Sequence, residues 1–389
     1  MEEKLIKHFH KIFSVNPEII SSAPGRINII GEHTDYTGGY VLPATIDKKI
    51  YFLASKRKDL KAHIWSVQFH EEDIFSLRDI KFSPEKNWKN YVRGTFNLLV
   101  QKEFSVHGIN GLIYGDIPIG AGLSSSAALE VSILNGLNHL FNLELERREI
   151  AYFAQTIEQD FAGVKCGIMD QFISLFGKEN KAIFLDCETL QYEEVPLDLY
   201  KKELAFLIYD TRIKRDLSNT AYNQRRLEAE KALKIFKDNY GVRTFKEVNL
   251  EMLRDSRPFL ERILFKRARH IITENIRVKE AVEALKRNDF QTLGELLFQS
   301  HKSLKDDYEV SCPELDFFYE KGLKFQGCFG ARLVGAGFGG SAIALIEEDK
   351  IESFQESVLQ DFKKYGFKTP EFYKVCIGQG AEVKILNKK

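Results

Sequence analysis

Residues 120–127 read Gly-Ala-Gly-Leu-Ser-Ser-Ser-Ala and stand between two segments of different period. Before them, Gly111–Tyr114 is an extended apolar run. After them, Ala127, Ala128, Val131, Leu134, Leu137 and Leu140 keep the 3.6-residue spacing of a helix over Ser126–Asn142. A strand must therefore pass through a glycine turn directly into a helix that buries one face. Glycine lets backbone amides approach an anion closely, and a helix N-terminus offers unpaired N–H groups at the positive end of its dipole. Three hydroxyls add donors, and one of them suits Mg²⁺, which takes oxygen ligands together with phosphates. A serine N-cap after a flexible turn has the same spelling. Two glycines and three serines in one loop favour the anion cradle. The GxxxxGK[ST] pattern of a Walker loop is absent.

Three further stretches carry candidate chemistry. In Cys166-Gly167-Ile168-Met169-Asp170-Gln171-Phe172-Ile173 one acid sits in an otherwise apolar run. A carboxylate there is costly unless paired or functional. Asp170 reads equally as a general base held ionised by a nearby cation, and as an Asp paired to a structural Arg or exposed in a turn. Glu158, on a helix expected over Arg148–Phe161, reads as a surface residue or as the partner of a Ser hydroxyl at a metal. In Gly25–Pro43 (GRINIIGEHTDYTGGYVLP), Glu32, His33 and Asp35 crowd around a glycine turn. Mixed donors and acceptors suit a polyhydroxylated ligand; TDYTGG by itself is also a good hairpin turn. No second His stands at zinc-ligand spacing. Finally, Gly335-Ala336-Gly337-Phe338-Gly339-Gly340-Ser341 resembles GxGxxG, but an apolar strand, Ala342–Ile346, follows where a dinucleotide motif needs a helix. The expectation is a loop closing over phosphates from a second domain.

The chain of 389 residues is too long for one hydrophobic core and implies two domains. With 44% apolar and 29% charged residues it reads as globular. Lys+Arg and Asp+Glu both number 56, so neither nucleic acid nor an anionic membrane is called for as partner. The five cysteines are scattered and form no CxxC pair, against a disulfide framework or structural zinc. MEEKLIKHFHKIF is amphipathic without the apolar core of a signal peptide, and no run of transmembrane length occurs; a cytoplasmic protein is expected. Short helices are expected within 3–13 and over Lys89–Glu103. Strands are expected at Asn28–Ile30, Tyr40–Leu42, Ile50–Ala54, His63–Val67, Ala182–Leu185 and Leu204–Tyr209. From about residue 216, charged helical segments dominate and read as solvated faces. The irregular mixture predicts α+β, with a boundary near residue 200.

Taken together, these stretches resemble the GHMP small-molecule kinase superfamily and, within it, the galactokinase family. GRINIIGEHTDYTGGYVLP is similar to that family's signature. GAGLSSSAALE resembles the superfamily's ATP-binding motif and RLVGAGFGGSAIAL its third motif; CGIMDQFIS and SCPELD (Ser311–Asp316) resemble further galactokinase segments. Thr37 stands where Asn is common, and Val334 and Ser341 where Thr and Cys are more usual. The resemblance implies a GHMP kinase fold. Its N-terminal domain, over residues 1–200, would be ribosomal protein S5 domain 2-like; its C-terminal domain, over 201–389, ferredoxin-like, with the active site in the cleft between them. It implies phosphorylation of the anomeric hydroxyl of galactose by ATP with Mg²⁺. Asp170 would be the base and Arg26 its cation. Glu32, His33, Thr34 and Asp35, with Gly167 and Tyr222, would hold the sugar. Gly120, Ala121, Gly122, Leu123, Ser124, Ser125 and Ser126 would cradle the nucleotide phosphates, and Ser126 with Glu158 would hold Mg²⁺. Ser66, in IWSVQF, resembles a nucleotide-contacting Ser. The rivals are a kinase of N-acetylgalactosamine, arabinose or mevalonate, and a non-catalytic galactose and ATP sensor. A monomer is expected, with a dimer left open.

Overall fold

The computed structural model describes residues 1–85, 88–213 and 218–386. Among them run strands β1 (Ile19–Ile30), β2 (Tyr40–Lys56), β3 (Lys61–Ser66), β4 (Glu71–Ser76), β5 (Ile109–Gly115), β6 (Lys181–Asp186), β7 (Tyr192–Pro196), β8 (Leu204–Asp210), β9 (Cys328–Val334), β10 (Ser341–Glu347), β11 (Glu371–Val375) and β12 (Glu382–Ile385). The helices are α1 (Glu2–Phe13), α2 (Trp88–Gln101), α3 (Ser125–Phe141), α4 (Arg147–Ile157), α5 (Met169–Phe176), α6 (Ser218–Tyr240), α7 (Leu250–Asp255), α8 (Arg262–Lys286), α9 (Phe290–Ser303), α10 (Pro313–Lys324) and α11 (Ile351–Phe362).

The first sheet has the order β12-β1-β2-β5-β3-β4, with β6 on β2 and β7 on β6. All twelve positions of β1 are buried. Helix α3 covers one face of β1 and β2, and α1 lays Leu5 and Phe9 against Ile20, Leu53 and Leu112 on the other. A strand covered on both faces loses the alternation that marks a half-exposed one, which is why only its last three residues were legible as strand. Likewise 40–42 and 50–54 are parts of one 17-residue strand. The polar run Asp47-Lys48-Lys49 lies at a shift of register: Lys49 stands opposite Pro24, and the pairing resumes at Thr45 opposite Arg26.

The second sheet has the order β11-β8-β10-β9, all antiparallel. Helices α6 to α10 lie between β8 and β9, and α11 between β10 and β11. Numbered within this sheet, the strands run 4-1-3-2 in a β-α-β-β-α-β chain, the ferredoxin-like arrangement the sequence implied. A separate core of Leu207, Tyr209, Phe236, Ile271, Phe318 and Phe354 fills the space under its helices. Strand pairing divides the C-terminal end differently from a boundary at 200: β12 returns to β1, with Ile385 opposite Ile19. Residues 216–217, where the charged stretch was expected to begin, lie outside the described residues.

Candidate active site

The cleft between the two sheets has a volume of about 740 Å³ and is lined by residues of both. At its centre stands Asp170, in the first turn of α5. Arg26, buried on β1, donates from Nε to Asp170 Oδ1 and from Nη2 to Oδ2, both at 2.7 Å. This bidentate fork is the strong, directional form of an ion pair. Both sequence readings of Asp170 therefore hold at once: it is paired to an Arg, and the pair faces the cleft. Burial pulls the Arg26 pKa down, but Asp170, Glu32 and Asp35 raise it above its ordinary value, so the guanidinium stays charged.

The same arginine ties down the glycine loop. Its Nη1 donates to the Gly122 carbonyl at 2.7 Å, and its backbone N–H to the Leu123 carbonyl at 3.0 Å. Ser124, in the left-handed region at φ 60°, closes the triangle by donating from Oγ to Asp170 Oδ2. Helix α3 starts immediately after it without a side-chain cap, so its first N–H groups have no acceptor within the helix. Ser126 Oγ donates to Glu158 Oε1 at 2.7 Å, and Gln171 Nε2 to Glu158 Oε2 at 2.7 Å. Burial raises the Glu158 carboxyl to about 7, against the Ser126 hydrogen bond that lowers it. The helix expected over Arg148–Phe161 changes character here. Helix α4 ends at Ile157, and Glu158–Ala162 form a wider π turn. Such turns recur at functional sites, and this one carries the Glu158 carboxyl inward to Ser126.

Across Asp170 lies the turn that follows β1. Gly31 has φ 107° and His33 φ 64°. Glu32 Oε2 accepts from Asn28 Nδ2 at 2.7 Å, and Oε1 accepts from the Gly335 backbone N–H at 2.7 Å. His33 Nδ1 is 2.9 Å from the Tyr36 hydroxyl and Nε2 is 3.3 Å from the Ala336 carbonyl. The carbonyl fixes the tautomer: Nε2 donates, and Nδ1 accepts from Tyr36. Both ring nitrogens are thus engaged within the protein, and the ring packs among Tyr36, Tyr222 and Tyr308. Burial lowers the His33 pKa to about 3, so the ring is neutral. Asp35 lines the cleft and accepts a hydrogen bond from the Tyr36 backbone. Burial first, then Asp170, raises its carboxyl to about 7. Gly167 packs directly on it; a Cβ there would come within 2.1 Å of Asp35 Oδ2.

Of the residues singled out in the sequence, Arg26, Glu32, His33, Asp35, Gly120, Gly122, Leu123, Ser124, Ser125, Ser126, Glu158, Gly167, Asp170 and Tyr222 all line the cleft. Three do not. Thr34 is buried, and its Oγ1 hydrogen-bonds the Gly31 and Tyr40 carbonyls, which closes the turn. Ala121 is buried, and its carbonyl accepts from Ser341 Oγ. Ser66 is buried on β3 and is not among the residues that line the cleft. The Gly335–Ser341 loop, expected over the phosphates, also makes contacts that the sequence did not suggest. Its N–H at Gly335 and carbonyl at Ala336 bind Glu32 and His33, so it braces the turn at 31–34 as well as reaching the glycine loop through Ser341.

Sequence reasoning also missed a set of supports. Helix α8 reads as a charged, solvated helix, yet Arg267, His270, Glu274 and Asn275 on it are all buried. His270 Nε2 donates to the Glu32 carbonyl at 3.0 Å, Glu274 Oε1 accepts from the Gly31 N–H at 3.0 Å, and Asn275 Oδ1 accepts from the Tyr40 N–H at 2.7 Å. From β9, buried Arg332 donates to the Asn28 and Ile29 carbonyls and pairs with Glu32 Oε1 at 3.3 Å. Residues 267, 270, 271, 274, 275 and 278 share one stripe of the helix, but polar and apolar residues mix along it, so the stripe carries no mark of burial.

Comparison with known proteins agrees with this geometry. The galactokinase galactose-binding signature matches residues 7–56, the GHMP kinases N terminal domain matches 90–178 and the GHMP kinases C terminal domain matches 281–364. The galactokinase of Staphylococcus carnosus is 43% identical over 96% of this chain and 97% of its own length. That of Pyrococcus furiosus is 42% identical over 91% of this chain and 97% of its own. The crystal structure of Lactococcus lactis galactokinase complexed with galactose superposes with a TM-score of 0.93, at 39% identity, over 98% of this chain and 99% of that one. The mevalonate kinase of Methanococcus jannaschii, at 19% identity and a TM-score of 0.65, shares the fold. With relatives this similar over nearly their whole length, and with its glycine loop, sugar-type turn and Asp–Arg pair meeting in one cleft, the chain belongs to the galactokinase family of GHMP kinases.

Proposed function

We propose that this chain converts ATP and D-galactose to α-D-galactose 1-phosphate and ADP, in the cytoplasm where ATP is available. The observation that carries the reading is the junction of Arg26, Asp170 and Ser124, where β1, the strand that leads into the sugar turn, and the glycine loop meet at one carboxylate. Oδ2 is occupied by both Arg26 Nη2 and Ser124 Oγ, whereas Oδ1, which accepts only from Arg26 Nε, keeps a lone pair. Asp170 accepts the anomeric proton there as the hydroxyl oxygen bonds to the γ-phosphorus. The bond from that phosphorus to the β–γ bridging oxygen breaks, and ADP leaves. Arg26 stays charged beside the transferred group and offsets its spread negative charge, which is the main task in phosphoryl transfer. The amides at the start of α3, with Gly120 and Gly122, face the phosphates, and Asp35 and Glu32 receive sugar hydroxyls.

Mg²⁺ fits the donor set. Ser126 Oγ and Glu158 Oε1 are two oxygens 2.7 Å apart at the foot of the glycine loop. Burial works against the Glu158 charge, and a cation restores it. Held by Ser126 and Glu158, the ion would supply charge neutralisation for the phosphates. Every residue in the scheme comes from one chain, so a monomer suffices. The test is a phosphorylation screen of galactose, N-acetylgalactosamine, glucose, arabinose and mevalonate with MgATP, products identified by phosphorus NMR. Galactose is expected to give the highest kcat/KM, as a 1-phosphate. Preference for another acceptor contradicts the substrate assignment, and binding without turnover would make the chain a sensor.

A further inference from the structure

We propose that helix α8 is a template for the sugar turn, and that His270, Glu274 and Asn275 are positioning residues that set galactose affinity without touching the sugar. The inference rests on the reading of residues 31–40 as the sugar-holding turn. None of the three side chains lines the cleft. Each binds a backbone group of the turn, and together they hold both sides of Glu32: Glu274 takes the Gly31 N–H before it, and His270 gives to its own carbonyl. Asn275 takes the Tyr40 N–H where the turn re-enters β2.

The turn needs such a frame. His33 is a non-glycine residue in the left-handed region, and that conformation persists only where surroundings over-determine it. The frame is itself fixed from behind. His270 Nδ1 is 2.9 Å from Ser303 Oγ, and because Nε2 must donate to a carbonyl, Nδ1 accepts from that serine. Glu274 receives Ser300 Oγ at 2.7 Å on Oε1 and Arg277 Nε at 2.8 Å on Oε2. Asn275 Nδ2 donates back to the Ile271 carbonyl at 3.0 Å. Every polar atom involved is thereby aimed in one direction only. A ring with fixed hydroxyls rewards fixed acceptors, because small misplacements of a binding group are costly.

The experiment compares His270→Leu, His270→Gln and Ser303→Ala in the full chain, reading KM for galactose and for ATP, kcat and Tm. His270→Leu leaves the buried Glu32 carbonyl unpaired and is expected to raise the galactose KM about tenfold with ATP KM within about twofold. His270→Gln presents an amide N–H at a similar reach and is expected to recover most of that loss. Ser303→Ala frees the ring from behind without removing its donor, keeps the fold, and is expected to raise galactose KM about threefold. If Tm falls while both KM values stay unchanged, or if Gln performs no better than Leu, the helix is only structural and the proposal is overturned. Should His270→Leu fail to fold, an unchanged galactose KM in Ser303→Ala overturns it as well. Asp35→Ala separates the two layers of the argument: loss of galactose affinity there, with none in the α8 variants, sinks the template and leaves the sugar turn standing.

Discussion

The two loops that meet at Asp170 are held in opposite ways. At Gly120 an added Cβ meets nothing within 4 Å; at Gly31 it meets Val41 Cα at 2.8 Å and the Tyr40 carbonyl at 2.9 Å. The glycine loop is tied through the Gly122, Leu123 and Ala121 carbonyls and through Ser124, with Ala121 and Leu123 buried and Gly120 left in open space. The turn at 31–40 is bound by side chains from β9 and α8 and by the Gly335 loop. The difference matches the ligands proposed for each. A triphosphate tail is flexible and is met by amides that can yield to it, whereas a pyranose ring presents hydroxyls in fixed directions and selects among sugars only if its partners cannot move.

The largest effect expected is at the joint itself. Asp170→Asn cannot accept a proton and leaves Arg26 without its counter-ion; kcat should fall by about a thousandfold or more, with ATP affinity within about twofold by calorimetry. Near wild-type turnover would remove Asp170 as base and leave the two loops without a shared function. Next comes a direct contrast of the loops. Gly31→Ala meets both a left-handed backbone and backbone atoms it cannot displace, and should cost about 3 kcal/mol in urea unfolding, while Gly120→Ala meets only the backbone preference and should cost about 1 kcal/mol. Equal costs would mean that the turn is no tighter than the loop.

A smaller effect concerns pH. Burial raises the Asp35 carboxyl to about 7 in the folded chain. Between the ordinary carboxylate range and pH 7, the folded chain keeps a proton that the unfolded chain has lost, so this group's contribution to stability falls as pH rises through that window. Neutral His33 and His270 act in the opposite sense below their ordinary pKa. A difference therefore isolates the carboxyl: in the ligand-free enzyme, Asp35→Asn should gain in Tm on wild type as pH rises from about 5 to about 8. A constant difference would show Asp35 ionised throughout. The smallest expected effect is at Ser66, which is not among the residues that line the cleft; Ser66→Ala should leave ATP KM within about twofold. A tenfold rise would place a nucleotide contact on β3.

What could be read in the sequence follows the same division. The glycine loop was legible because its chemistry is local: strand, two glycines, three serines and a helix start lie in consecutive residues. Asp170 was legible as an acid among apolar residues, though its partner, 144 positions away, was assigned only by resemblance. The sugar turn was half legible. Its residues were named, but Thr34 turned out to close the turn, and His33 to spend both nitrogens on Tyr36 and Ala336. The supports on α8 were not legible at all, because a buried polar stripe that binds backbone spells the same as a solvated one. Periodicity reports which residues share a helix face and carries nothing about what packs on that face. The return of β12 to β1 was hidden for a similar reason: strand pairing across the length of the chain leaves no local mark.

The central claim is that the turn at 31–40 serves the sugar and the glycine loop the nucleotide, with Asp170 between them. Asp35 tests it most directly, since it lines the cleft. Calorimetric titration of Asp35→Ala with galactose, and separately with ATP, should show galactose affinity reduced at least about tenfold and ATP affinity changed less than about twofold. Equal weakening of both, or loss for ATP alone, would contradict the assignment of the two loops.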